Sequence, residues 1–180
     1  MNMLEDVSES KFLLIVLSEE QYMKQIYEIV MSIKQTKNKV CYVCISKPYG
    51  DVVEDLKKNG IDTKAFVFID VLSSHYEKPR PIKNCIFLDS PDLDSIKRAI
   101  DGAIAQEACS VLLFDTLSAM LIYQESFPVL RFAHSMTMGK NQENVKKVFL
   151  VLKKGNGIEK ENASLISDLK MFADKTLEIC

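Results

Sequence analysis

Two short stretches carry residue types at spacings that could do chemistry. The first is SVLLFDTLSAML, residues 110 to 121, in which an apolar run ends at Asp115 and is followed by Thr116 and Ser118. An acid at the C-terminal end of a buried strand stands where open α/β sheets bind ligands. In nucleotide hydrolases such an acid helps to hold Mg²⁺. The same acid can instead cap the next helix or bond a nearby hydroxyl, here that of Thr116 or Ser118. The second stretch is LLIVLSEEQYMKQI, residues 13 to 26. Leu13–Leu17 reads as a buried parallel strand, and Ser18 opens an amphipathic helix. A strand running into a helix suits a phosphate, because the first helical amides are unpaired and the dipole end is positive. It does so when a glycine-rich turn wraps the anion and a lysine offsets its charge. Here there is no glycine between the two elements and no lysine at the turn.

The residues at that turn answer a different need. Ser18 is a good N-cap, and Gln21 three residues on completes an S-x-x-Q capping box. Glu19 and Glu20 place two negative charges on the first turn, each worth ~0.3–1 kcal/mol against the helix dipole. A triphosphate at the same place meets those carboxylates. At ~4 Å and surface dielectric each such contact costs up to ~4 kcal/mol. The expectation is a helix that satisfies its own end and discourages phosphate.

Other chemistry-bearing residues are weaker candidates. Cys41 and Cys44 are spaced C-x-x-C but lie in VCYVCI, which reads as a strand, so their side chains point to opposite faces and cannot clasp one metal. The five cysteines read as small buried hydrophobes in a reducing compartment. His75 and His134 have no second ligand at useful spacing, so no metal site is expected. Lys78, Arg80 and Lys83 fall in SSHYEKPRPIKN, residues 73 to 84, read as an exposed loop that could dock an acidic partner. Met120, Met136 and Met138, with Phe127, Leu130 and Phe132, read as core or as an adaptable apolar surface.

The elements that must position these residues alternate from end to end. Strands are expected at 13–17, 40–45, 65–72, 85–88, 111–114, 148–152 and 176–179. Helices are expected at about 19–35, 51–58, 93–106, 117–138 with a break before Pro128, and 161–172. Gly60 reads as the left-handed stop of the second helix. Ser90-Pro91-Asp92 reads as the start of the third, with Ser90 as the cap, and Gly155-Asn156-Gly157 reads as a turn. Residues 1–10 read as a polar tail and 11–180 as one α/β domain with a central, mostly parallel sheet between two helical layers. A chain of 180 residues can bury roughly 70% of its unfolded surface, so a core without staples is possible. Net charge is −2 with a pI of about 5.8, which gives no general attraction to nucleic acid or anionic membrane. No apolar run approaches the ~18 residues of a membrane span. The polar start is not a signal peptide, which points to the cytoplasm.

The ordered set of segments resembles the RecA-like ATPases, and especially their KaiC-like branch, over roughly residues 11–179. The passage VCYVCISKPYGDVVEDLKKNGIDTKAFVFIDVLS is similar to that branch's second strand, helix, Gly-x-Asp and third strand, with KNGID at 58–62 supplying the Gly-x-Asp. VLLFDTLSAML resembles its Walker B strand, and KMFADKTLEI its closing helix, Ala-Asp and strand. The resemblance implies a three-layer RecA/KaiC-like fold. It also implies a Walker A loop between Leu17 and Ile26, where Ser18, Glu19, Glu20 and Gln21 stand, and catalytic acids where Ser46 and Lys47 stand. Of the family's catalytic set only Asp115 carries over, with Thr116 and Ser118 after it.

The reading that results is a catalytically inactive relative of these ATPases, with no cofactor and no metal. It would work as a regulatory or signalling module through protein partners, as a monomer or a small homo-oligomer, with neither nucleic acid nor membrane as partner. The alternative is a nucleotide- or small-ligand-binding protein that uses the strand ends near Asp115.

Overall fold

The computed structural model describes residues 2–76, 78–139, 143–153 and 159–179. Seven strands form one parallel sheet in the order β4-β3-β2-β5-β6-β1-β7. They are β1 (Phe12–Leu17), β2 (Val40–Cys44), β3 (Phe66–Asp70), β4 (Cys85–Phe87), β5 (Val111–Asp115), β6 (Lys146–Leu152) and β7 (Lys175–Ile179). The runs FLLIVL, VCYVC, FVFID and VLLFD are buried at every position, because helices cover both faces and neither side of a central strand meets water.

Alternation along each strand sorts the core into two layers. On one face, Leu14, Val43, Leu112, Phe114 and Phe149 pack against α4 (Leu93–Glu107), α5 (Ser126–Met138) and α6 (Glu159–Lys170). On the other, Leu13, Ile15, Tyr42, Leu113 and Leu150 meet α1 (Met3–Glu9), α2 (Glu19–Gln35) and α3 (Tyr49–Lys58). Cys41 falls in the first layer and Cys44 in the second, so the two thiols lie on opposite faces. Burial raises both thiols well above the ordinary range, Cys85 to about 12 and Cys109 to about 11, so all four stay protonated and inert at neutral pH.

Local signals explain most boundaries. Gly60 has φ +72°, the left-handed stop after α3. Three boundaries differ from expectation. Residues 3–9, expected within a polar tail, form α1, because Met3 and Val7 share one face and bury against the α2 layer, while Lys175 pairs with the buried Asp6. The cap of α4 is Asp92, not Ser90: its carboxylate accepts from Ser95 N at 2.8 Å, and Pro91 stands before the helix. The stretch 117–138 is a short 3₁₀ segment, Leu117–Ile122, followed by α5 from Ser126, with Pro128 inside α5's first turn, where its missing N–H costs nothing. The expected Gly155-Asn156-Gly157 turn lies outside the described residues.

One acid fastens the sheet's edge. Asp174, in the Ala-Asp pair before β7, accepts from Lys11 N at 3.0 Å and Phe12 N at 2.8 Å, locking the start of β7 to the start of β1. Asp174→Ala leaves these amides unpaired. It is expected to lower unfolding free energy by about 1–3 kcal/mol, read as a fall in urea midpoint at unchanged m value.

Candidate functional site

The connections decide where a site can be. From the C-terminal end of β2 the chain leaves through α3 on one face of the sheet towards β3. From β5 it leaves through α5 on the other face towards β6. β2 and β5 are neighbours, so their divergence opens a crevice above their ends, the topological switch point of an open α/β sheet. A cleft of about 490 Å³ lies there, with Ser46 and Thr116 at its base.

The floor is neutral and already bonded. Ser46 Oγ and Thr116 Oγ1 are 3.0 Å apart, and Thr116 N donates to Ser46 Oγ at 3.1 Å. Ser118 Oγ accepts from Leu152 N at 3.0 Å. The peptide between Asp115 and Thr116 is cis. The walls are mainly apolar, with Met23, Leu72, Leu121, Ile122 and Tyr123 among them, and Tyr76 stands at the rim. Met23 and Ile122 are more than half exposed and Tyr76 is 85% exposed, so the cleft shows water an apolar surface. Met23, an apolar residue on the exposed side of α2, is part of this wall. Among the described lining residues the only charged side chain is Glu19.

The start of α2 forms one side of the cleft. Ser18 Oγ accepts from Gln21 N at 3.3 Å, satisfying one of the orphan amides, while Tyr22 N makes the first ordinary helical bond to Ser18 O at 2.9 Å. The capping box is only half made: Ser18 N donates to Ile179 O of β7 at 3.3 Å rather than to the Gln21 side chain, because the sheet edge supplies the acceptor. Glu20 turns along the helix to Lys24, at 2.5 Å, which leaves Glu19 as the carboxylate facing the cleft.

Asp115 does not point into this cleft. Its Oδ2 accepts from Tyr42 Oη at 2.5 Å and Tyr22 Oη at 2.9 Å, and its Oδ1 has no donor. Neither a helix cap nor a bond to Thr116 or Ser118 accounts for it. The acid instead lies beneath α2 and α3, with Lys47 and Asp55 lining the same small crevice. Burial, only partly opposed by the two phenols and Lys47, pushes its carboxyl up to about 6. Burial and the carboxylate raise both phenols, so they remain donors at any physiological pH. Lys47 is engaged by Asp55 at 3.0 Å.

Both tyrosines were missed as site residues. Tyr42 interrupts an apolar strand with a polar tip that must find a partner when buried, and Tyr22 stands one turn into α2. Asp70 was missed too. It ends β3 as Asp115 ends β5, but its carboxylate is fully used by Tyr49 N, Leu72 N, Ser73 N and Ser73 Oγ, at 2.5–2.8 Å, shaping the loop beside the cleft. His75 and His134 do not come together: His75 sits in a short turn after β3, and His134 packs edge-on against Phe172. No group of three metal-ligating side chains occurs among the described residues. Lys78, Arg80 and Lys83 are exposed. Met120, Met136 and Phe132 are core, whereas Phe127 and Met138 are exposed. No helix among the described residues is long and apolar enough to cross a membrane.

Comparison with known proteins finds likeness in shape alone. No protein-family model and no curated protein matches the chain. Among solved structures, it is similar to the KaiC-like protein PH0186 from the archaeon Pyrococcus horikoshii OT3, with a TM-score of 0.66 at 10% identity, covering 94% of this chain and 72% of that one. It is also similar to protein PH0321 from Pyrococcus horikoshii, solved in complex with an unknown peptide, with a TM-score of 0.69 at 13% identity over 94% and 78%. The fold is that of the KaiC-like, RecA-type α/β proteins.

The buried acid has a measurable signature. A folded-state pKa raised from 3.8 to about 6 contributes stability that is present below pH 3.8 and is lost as pH rises through 6. Asp115→Asn removes the charge. It is expected to be more stable than wild type at pH 7.5, by up to about 3 kcal/mol, with the advantage shrinking towards zero near pH 4. Urea denaturation of both proteins across that range checks the sign and the window.

Proposed function

We propose that this chain is a catalytically inactive member of the KaiC-like fold group, a regulatory or signalling module that acts by contact with a protein partner. The observation that carries the proposal is the charge of the cleft at the switch point: among the described residues its one charged side chain is a carboxylate, Glu19, on the helix end that would otherwise receive a phosphate. Nucleotide sites of this architecture depend on a lysine and glycine-supported amides around the phosphates, and the turn at Ser18–Gln21 has no glycine and no lysine, while Lys24 one turn on is paired with Glu20. Ser46 and Lys47, at the positions of the catalytic acids, hold Thr116 and Asp55 respectively. Asp115 is held by two phenols beneath the helices, which supports a structural role over Mg²⁺ binding and weighs against the small-ligand alternative at that acid. A neighbour of the same fold, PH0321, was solved with a peptide bound, which fits a reading in which the fold serves recognition.

Isothermal titration with ATP–Mg²⁺ tests this. No saturable heat in the micromolar range and no phosphate release are expected. Micromolar binding with turnover would refute the proposal.

A further inference from the structure

The cleft has a shape and a chemistry that a phosphate does not explain, and they say what would fill it. Its volume of about 490 Å³ lies within the range of real ligand sites. Met23, Ile122, Tyr123 and Tyr76 expose apolar surface on its walls and rim. One feature within it awaits a polar partner. Glu19 is exposed and makes no ion pair among the described residues, while its neighbour Glu20 is paired with Lys24. Asn162, only 3% exposed, donates through Nδ2 to Leu152 O and is held within the wall. The hydroxyls of Ser46 and Thr116 bond one another, and Ser118 Oγ accepts from Leu152 N, so the floor is neutral.

We propose that this cleft is the docking groove for an extended segment of a partner protein, one that brings apolar side chains to the Met23–Ile122–Tyr123 wall and a lysine or arginine to Glu19. The inference rests on the interaction-module reading and gives it a place and a charge: the partner is apolar and basic, whereas the exposed Lys78, Arg80 and Lys83 loop would have suggested an acidic one. Complementary charge at the rim of such a groove selects the partner and its direction more than it adds affinity.

The test uses the full chain and three fluorescein-labelled pentapeptides, Leu-Val-Lys-Leu-Val and its glutamine and glutamate counterparts, followed by anisotropy and by amide shifts in NMR spectra. Saturable binding is expected, with the lysine peptide about fivefold tighter than the glutamate one, and with shifts centred on Ser46, Thr116 and Ile122. Glu19→Lys should reverse the order of the peptides, and Ile122→Ser should weaken all three. Both side chains are exposed, so the variants are expected to fold. Equal affinities for the three peptides, or an unchanged order in Glu19→Lys, would overturn the proposal. Shifts lying wholly outside the cleft would remove this groove and leave the interaction-module reading standing. Adenosine or ATP–Mg²⁺ shifting the cleft amides while no peptide does so would overturn it in favour of a nucleotide. Turnover of ATP by the same preparation would overturn the module reading itself.

Discussion

A single buried carboxylate oxygen joins three elements at the centre of this molecule. Asp115 Oδ2 receives one phenol from β2 and one from α2, so the end of the central strand is bonded to its neighbour in the sheet and to the helix lying across it. Taking a carboxylate out of water is costly unless donors replace the water. Here the donors come from residues 73 and 93 positions away in sequence, and the acid is therefore satisfied only when the sheet and α2 are both in place. The second oxygen is left without a donor, and burial of the group outweighs the two phenols and raises its pKa. Because the acid faces α2 and α3, the cleft on the other side of the strand ends is left to neutral hydroxyls and apolar walls.

That arrangement separates two tasks that a nucleotide hydrolase combines. In such an enzyme the acid at the strand end and the amides at the helix start face one another across the bound phosphates. In this chain the acid serves as a tie within the core, and the helix start is closed by Ser18 and by the carbonyl of Ile179. Each substitution is locally favourable by itself: an N-cap oxygen where an amide is orphaned, a phenol where a carboxylate is buried, an ion pair between Lys47 and Asp55 on the face of α3. Two of the four orphan amides at the start of α2, those of Ser18 and Gln21, are thereby satisfied within the protein.

Much of this architecture was legible because it follows from short-range patterns. Short apolar runs bounded by turn signals fit strands buried on both faces, which is why β1, β2 and β5 and a mostly parallel sheet were readable. The start of α2 was readable because its cap, its acids and its 3.6-residue stripe all agree. The failures came where signals competed or were non-local. Pro91 after Ser90 imitates a helix start, yet Asp92 has the geometry to cap. Met3 and Val7 give α1 only two buried apolar positions, too few to stand out from a polar tail. The Tyr22–Asp115–Tyr42 cluster joins residues far apart in sequence, and only the rarity of a tyrosine inside VCYVC hinted at it. The cleft was not legible at all, since its walls come from α2, the turn after β3, the 3₁₀ segment after β5 and the start of α6, and none of these announces the others.

Magnitudes decide what the cleft favours. The dipole at the start of α2 draws an anion by roughly 0.3–1 kcal/mol, and by at most about 2 kcal/mol when partly buried. One carboxylate at ~4 Å repels it by up to ~4 kcal/mol at the dielectric of a protein surface. Glu19 therefore outweighs the helix end, and the cleft disfavours an anion there. For a cation or an apolar group the same geometry works the other way. The carboxylate attracts, and each 100 Å² of apolar wall removed from water contributes about 2.5 kcal/mol before ordering costs are met. With Glu19 on its wall and Ile122 half in water, the cleft is better matched to a basic, apolar group than to a phosphate.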